Sequence, residues 1–451
     1  MSVVLCPHLS VEHYRGGEKW VVALANRLVA NGVDVAVRAL PYAPDGERRV
    51  RVRDVLDDRV PYTEAWRHDL SGFDTAYVFY NPLSKCFFHG TSRTIAGIHS
   101  WVYVADELFE PHYSAVPTAV KALYRLVGAR ELRAFDAVHS VTPAYDSPHP
   151  NTVSIPNFVD TRRFRPDRAP LADDFTVLAT AAHIPEKGWD TVRAVATRLQ
   201  ERAATRRVGV EPADAGAITV GRTDGGQRLD GGRTDRGGGV DGRTDRNRPA
   251  DRRGASGRVD VAEENGRRPG RERPTCVVTT GEGEGAVEGL GFLDEGELAD
   301  AYTRAHVVLH PARVDTDSMV INEACASGTP VVTTPIATHV RRNEAVLHGR
   351  TVDELCAHIE RLRREWRRGS VYDARCQRAR VEGEAHAIDV IYPQLERLLT
   401  GDLGAGGMVE RDVDAGLEAG KVVPEADVGP EPEPEFELES GTKSERVEPN
   451  A

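Results

Sequence analysis

The chain reads as an α/β protein built from two Rossmann-like βαβ halves that face one another across a central cleft. Three observations lead there. The first forty residues run strand, loop, helix, strand, and a strand–helix–parallel strand unit closes as a right-handed crossover. The same alternation restarts at Phe175. Between the two lies a Pro-containing, polar segment over residues 156–174 that has the composition of a hinge. At 451 residues the chain is long enough for two domains and additional segments.

Taken in order, Ser2 to Cys6 is a short apolar strand and Pro7 to Arg15 a polar loop. Gly16-Gly17 opens a helix from about Glu18 to Ala30, whose Val21, Leu24, Ala25, Leu28 and Val29 recur at helical spacing. Asn31-Gly32 stops it, and Val33 to Leu40 is the next strand. Further strands are expected at Thr75–Phe79, Thr94–His99, Ala137–Val141 and Thr152–Ile155, with a helix over Thr118–Ala134. The second half offers a strand from Phe175, a helix from Trp189, a strand at Thr275–Thr280, a helix at Glu295–Arg304 and a strand at Val307–Leu309. Helices over Val352–Trp366 and Ala385–Leu399 follow.

Two segments stand outside this pattern. Residues 207–273 contain Gly-Arg-Thr-Asp three times, starting at Gly221, Gly232 and Gly242. Such a stretch has too little apolar surface to offset its ordering entropy, so it is expected to be a disordered insertion within one βαβ unit. Residues 401–451 hold 14 acids against 4 bases and are expected to form a disordered acidic tail. The domain reading is therefore an N-terminal half over 1–160, a C-terminal half over 170–384 that contains the insertion, a closing helix over 385–400, and the tail.

Composition narrows the function class. The net charge of −12 comes largely from the tail. Residues 201–273 carry 17 bases and 13 acids, a near-balance that argues against specific nucleic-acid binding. With 6 lysines against 52 arginines, the skew fits a GC-rich genome and, with the acidic tail, a salt-rich cytoplasm such as that of a halophilic archaeon. The six cysteines show no C-x-x-C spacing, so buried free thiols in a reducing compartment are expected rather than a metal site. No basic-then-apolar leader is evident, and no apolar run reaches the ~18 residues of a spanning helix. A cytoplasmic protein is expected, with peripheral contact at the inner membrane face left open.

The chemistry-bearing motifs fall where strands end. Asp315-Thr-Asp-Ser-Met-Val-Ile-Asn-Glu323 straddles a loop-to-helix junction, with Asp317 as N-cap, Gly328 at the helix stop and Val331–Thr334 as the strand that follows. The N–H groups of Ser318, Met319 and Val320 at such a helix start suit a phosphate, and Glu323 a turn and a half on can accept from sugar hydroxyls. The bland alternative is a surface helix whose acids complement its dipole. Gly16-Gly17 lets backbone approach a phosphate, or else forms a tight turn. Lys187, in Ile184-Pro-Glu-Lys-Gly188, follows the first strand of the second half, where open α/β sheets bind ligands and a cation can stabilise a departing diphosphate. His99 ends a strand and points towards the cleft. By spacing alone, His8, His13, His89, His139 and His183 compete with it.

These segments resemble the family 4 glycosyltransferases of GT-B fold (glycogen synthase-like, glycosyl transferases group 1). The resemblance rests on Arg15-Gly-Gly-Glu-Lys, Ser154-Ile-Pro-Asn-Phe-Val-Asp-Thr-Arg-Arg-Phe-Arg-Pro166, Pro185-Glu-Lys-Gly188, Gly291-Phe-Leu-Asp-Glu-Gly-Glu-Leu-Ala-Asp-Ala-Tyr302 and the Asp315/Glu323 helix. They occur in the family's order over roughly residues 1–340. The resemblance implies a nucleotide-diphosphate-sugar co-substrate held by the C-terminal half, an acceptor held by the N-terminal half, and transfer with retention, without a bound cofactor or metal. It implies that Lys187 meets the diphosphate, Asp315 the donor sugar and Glu323 the ribose, while His99 lines the reacting centre. His99, Lys187 and Asp315 are thus the expected catalytic residues. Gly16, Gly17, Lys187, Ser318, Met319, Val320 and Glu323 are the expected donor-binding residues.

There are departures from the family pattern. Ala181 and Ala182 stand where an arginine usually assists the phosphate lysine, leaving His183 or Arg313 as substitutes. Asp315 replaces the usual Glu, and Asp317 adds negative charge beside the phosphate position. The leading expectation is a glycosyltransferase acting on a glycan, lipid-linked or small-molecule acceptor. The alternatives are a catalytically weak GT-B scaffold that binds nucleotide or glycan, or a nucleotide-sugar epimerase.

Overall fold

The computed structural model describes residues 1–43, 46–90, 93–99, 118–145, 147–180, 182–208, 275–341 and 343–401. The expected insertion at 207–273 and tail at 401–451 lie, but for their first residues, outside these. Among the described residues the architecture is two large parallel sheets flanked by helices, with a small two-stranded pair of His68–Asp69 and Phe88–His89.

The N-terminal sheet has seven strands: β1 (Ser2–Cys6), β2 (Asp34–Ala39), β3 (Tyr62–Glu64), β4 (Thr75–Phe79), β5 (Arg93–Ile98), β6 (Ala137–Ser140) and β7 (Thr152–Ser154), in the order β3-β2-β1-β4-β5-β6-β7. Its strands read as continuous apolar runs because both faces are covered. Val3 and Leu5 of β1 pack with Trp20, Leu24 and Leu28 of α1 (Gly16–Ala30), while Val4 and Cys6 join Ala76, Val78 and Ile98 on the other face. The expected helix near residue 118 is α2 (Thr118–Leu132).

The C-terminal sheet has six strands: β8 (Thr176–Ala179), β9 (Cys276–Thr279), β10 (Glu288–Gly289), β11 (Val307–His310), β12 (Val331–Thr333) and β13 (Val346–His348), in the order β10-β9-β8-β11-β12-β13. On one face α3 (Trp189–Val208) buries Val192, Val195 and Ala196 against Val177 and Leu309. On the other, Tyr302 of α4 (Glu295–Arg304) and Ile321 and Ala324 of α5 (Met319–Ala326) pack against Leu178 and Val308. In both sheets the strand order reverses beside the first strand, so each carries a switch point at its carboxyl edge, where open α/β sheets bind ligands.

The C-terminal end departs from the helix pattern expected of the sequence. After α6 (Val352–Arg368) comes an unforeseen helix, α7 (Ser370–Ala385), so the closing helix α8 begins at Ile388 and ends at Thr400. The pattern of α7 is masked because its buried positions are Tyr372, Arg375, Ala379 and Gly383, an apolar stripe broken by a charge and a glycine. Arg375 is tolerated there by a two-pronged pair with Glu365, Nε to Oε2 at 2.7 Å and Nη2 to Oε1 at 2.9 Å. Helix α8 crosses back to the first sheet, where Ile391, Tyr392, Leu395 and Leu398 join the core beside Leu24 and Leu28. Arg93 at the start of β5 donates to its last carbonyls, Leu398 O at 2.7 Å and Leu399 O at 3.2 Å. All six cysteines are free, but only Cys6, Cys325 and Cys356 are buried, and Cys86 is exposed rather than buried as expected.

Candidate active site

The site gathers where β8 and β11 end. After β8 the chain makes one 3-10 turn, Pro185–Lys187, and Gly188 closes it at φ +72°. A side chain at Gly188 would strain that backbone, and its Cβ would stand 2.0 Å from the carbonyl oxygen of Pro311. The close approach lays Lys187 against the loop that follows β11. There its ammonium donates to Val314 O at 3.2 Å and pairs with Asp315 Oδ1 at 3.2 Å. Two of its three N–H bonds are thereby used, and the third has no partner among the described residues.

Asp315 is held from all sides. Oδ1 also accepts from the Thr316 N–H at 3.0 Å, and Oδ2 lies 3.0 Å from His310 Nε2 and 3.3 Å from His339 Nε2. Lys187, the Thr316 N–H and His310, as its Nε2–H tautomer, are three donors to the carboxylate, while Thr333 Oγ1 donates to His310 O at 2.7 Å and accepts from His339 Nδ1 at 2.8 Å. Burial works to raise the Asp315 pKa, but the Lys187 charge and the neighbouring histidines outweigh it and hold the acid well below its ordinary value. Burial lowers both histidines, His339 to about 4. The same three side chains, all buried, converge closely enough to hold a cation, a role the Lys187 ammonium already fills on the opposite carboxylate oxygen. No spacing rule singled out His310 or His339; the His310-x4-Asp315 interval is the only signal the sequence offers.

Helix α5 starts one residue later than expected. Ser318, not Asp317, is its N-cap, with Oγ accepting from the Ile321 N–H at 3.3 Å. Asp317 is diverted because its carboxylate accepts from the Asn157 N–H at 2.6 Å, while Asn157 Nδ2 donates to Asp317 O at 3.0 Å. The hinge segment is thus tied to the start of α5. Burial raises the Asp317 pKa to about 6, against the pull of Arg341 3.4 Å away. The helix stop is as expected, with Gly328 at φ +74°.

Glu323, in the middle of α5, is buried and accepts from the Tyr302 hydroxyl at 3.0 Å through Oε2. Burial raises its pKa. Its Oε1 has no partner among the described residues. Of the suggested substitutes for the missing arginine, His183 stacks on Trp189 at 3.7 Å between centroids and lies 3.0 Å from Thr279 Oγ1. Arg313 is drawn to Asp190 at 2.5 Å. Ala181 lies outside the described residues.

From the N-terminal sheet, the glycine pair belongs to the first turn of α1, which begins at Gly16 rather than Glu18. A Cβ on Gly16 would lie 3.9 Å from Met319 Cγ, so the amino ends of α1 and α5 face each other. His99 follows β5, and its carbonyl accepts from Thr316 Oγ1 at 3.1 Å. Its ring stacks on Phe79 at 4.1 Å and meets Trp20 edge-on at 4.6 Å. Burial and the neighbouring His139 push its pKa well below 6.5. Lys187, Asp315, Ser318, Met319, the glycine pair and His99 therefore share one region, and Glu323 lines it one helical turn deeper.

Residues 266–365 match the family model described as glycosyl transferases group 1. No curated protein matches the chain. Among solved structures it is similar to sucrose-phosphate synthase from Thermosynechococcus elongatus, at 14% identity and a TM-score of 0.58 over 90% of this chain and 100% of that one. It is also similar to HepE of Anabaena, solved with UDP and glucose, at 11% identity and a TM-score of 0.55 over 88% and 99%. WaaG, a glycosyltransferase involved in lipopolysaccharide biosynthesis, aligns at 12% identity and a TM-score of 0.53 over 88% and 100%. The chain thus has the GT-B fold of these structures, and residues 266–365 carry its match to the group 1 glycosyl transferases.

Proposed function

We propose that the chain transfers a sugar, with retention of anomeric configuration, from a nucleotide-diphosphate-sugar to a glycan, lipid-linked or small-molecule acceptor. The observation that carries this reading is the pinned Lys187 ammonium, one of whose N–H bonds has no partner among the described residues, beside the amino end of α5. A cation and unpaired helix N–H groups together suit a diphosphate and the charge that grows on it as the glycosidic bond breaks. Glu323 Oε1 then takes the ribose hydroxyls, the halves meet at Thr316 and His99, and the acceptor enters from the N-terminal half. HepE, solved with UDP-glucose, has the same fold, which supports a nucleotide sugar as co-substrate here. Asp315 serves this site by holding Lys187. No described helix is long and apolar enough to cross a membrane, so a lipid-linked acceptor would be met at a membrane surface.

The test is thermal. One of uridine, guanosine or adenosine diphosphate is expected to raise the unfolding midpoint, and Lys187→Ala or Glu323→Ala to abolish the rise. No rise with any of the three sinks the reading.

A further inference from the structure

We infer that His99 is locked as its Nε2–H tautomer by Tyr77 and His139, so that it offers Nδ1 to its ligand as a hydrogen-bond acceptor. The reasoning is an accounting of protons along one chain of contacts. His139 Nε2 lies 2.8 Å from the carbonyl oxygen of Ile155. A carbonyl can only accept, so His139 carries its proton on Nε2, and its Nδ1 holds a lone pair. That Nδ1 lies 2.5 Å from the Tyr77 hydroxyl, which must therefore donate to it. With its single hydrogen spent, the same hydroxyl can only accept from His99 Nε2, 2.8 Å away. His99 Nε2 thus bears the proton. Burial keeps both rings neutral, so no second proton blurs the assignment.

The framework is built for this relay. Tyr77 lies on β4, His139 on β6, and β5 runs between them with Gly97 in register with Phe79 on one side and His139 on the other. Tyr77 crosses over β5 at Gly97, where a Cβ would fall 2.2 Å from the hydroxyl oxygen. Only glycine leaves the passage open. Trp20 packs against the tyrosine at 5.5 Å and against His99, closing the relay from the helix side.

Tyr77 and His139 are accordingly positioning residues, and they act through His99. A histidine so held can accept from a hydroxyl but cannot donate to an anionic oxygen. It therefore reads a sugar hydroxyl rather than a phosphate, which rests on the glycosyltransferase reading above.

The experiment is nitrogen-15 NMR of the histidine side chains at neutral pH, on the wild type and on Tyr77→Phe, which keeps the ring volume. Expected in the wild type is a His99 ring with a protonated Nε2 and an unprotonated Nδ1. Tyr77→Phe should shift it towards mixed tautomers and lower kcat/KM about tenfold. A His99 protonated on Nδ1, or a tautomer unmoved by Tyr77→Phe, overturns the inference. The NMR readout needs no substrate, so it stands apart from any failure to find a nucleotide-sugar donor.

Discussion

The two sides of the cleft reach it with opposite chemistry. On the C-terminal side a carboxylate, an ammonium and two histidines form a charged knot in which Asp315 holds Lys187, one of whose N–H bonds has no partner among the described residues. On the N-terminal side a neutral, directional relay of Tyr77, His139 and His99 ends in an acceptor, His99 Nδ1. The contrast teaches how the parts of one substrate can be sorted. A diphosphate carries charge and accepts hydrogen bonds, so it suits the charged side. A sugar hydroxyl carries none and donates, so it suits the neutral side. Holding each group by protein partners before any ligand arrives reduces the reorganisation needed in the reaction.

The comparison can be broken first on the charged side. Lys187→Ala is expected to lower kcat by two orders of magnitude or more, on the order of what one missing stabiliser of developing charge costs, while leaving the His99 tautomer unchanged. A loss of less than about tenfold would mean that the charged knot is structural. On the neutral side, Gly97→Ala should force Tyr77 aside and destabilise the protein by about 1–3 kcal/mol, read by urea denaturation. An unchanged midpoint would show that Tyr77 has room to spare and that the relay is not steered by the glycine.

The smallest expected effect concerns the tie between the sides. Asp317 titrates at about 6 in the folded chain, above the ~3.9 of an unperturbed aspartate. A raised folded pKa means stability that is full below ~4 and fades as pH rises through about 6. Asp317→Asn cannot ionise, so its thermal midpoint should gain on the wild type by a few degrees between pH 4 and pH 7. A constant difference across that range would show that Arg341 and the Asn157 N–H already compensate the buried charge.

Much of this was legible beforehand. Local pattern and punctuation placed the strands β1, β4 and β8 and the helix α4 to within a residue or two, because both are properties of neighbouring residues. Helix α7 was not, because its buried face includes Arg375 and Gly383, whose partners lie on other elements. Asp317 looked like an N-cap by residue type. Its pairing with Asn157, 160 residues away, overrode that preference and passed the cap to Ser318.

By itself, then, the chain's order of residues determined two βαβ halves, the acid-bearing helix start at 315–323 and a lysine and a histidine at strand ends. These follow from local propensity and from the rule that parallel sheets bind at their carboxyl edges. Only the tertiary structure decided which partners each group has: that Asp315 pairs with Lys187 and His310, that Lys187 also donates to Val314, and that Tyr77 passes Gly97 to orient His99. Hydrogen bonds are short and directional, and those that define this site mostly join residues from 20 to 160 positions apart, a separation no local pattern can carry.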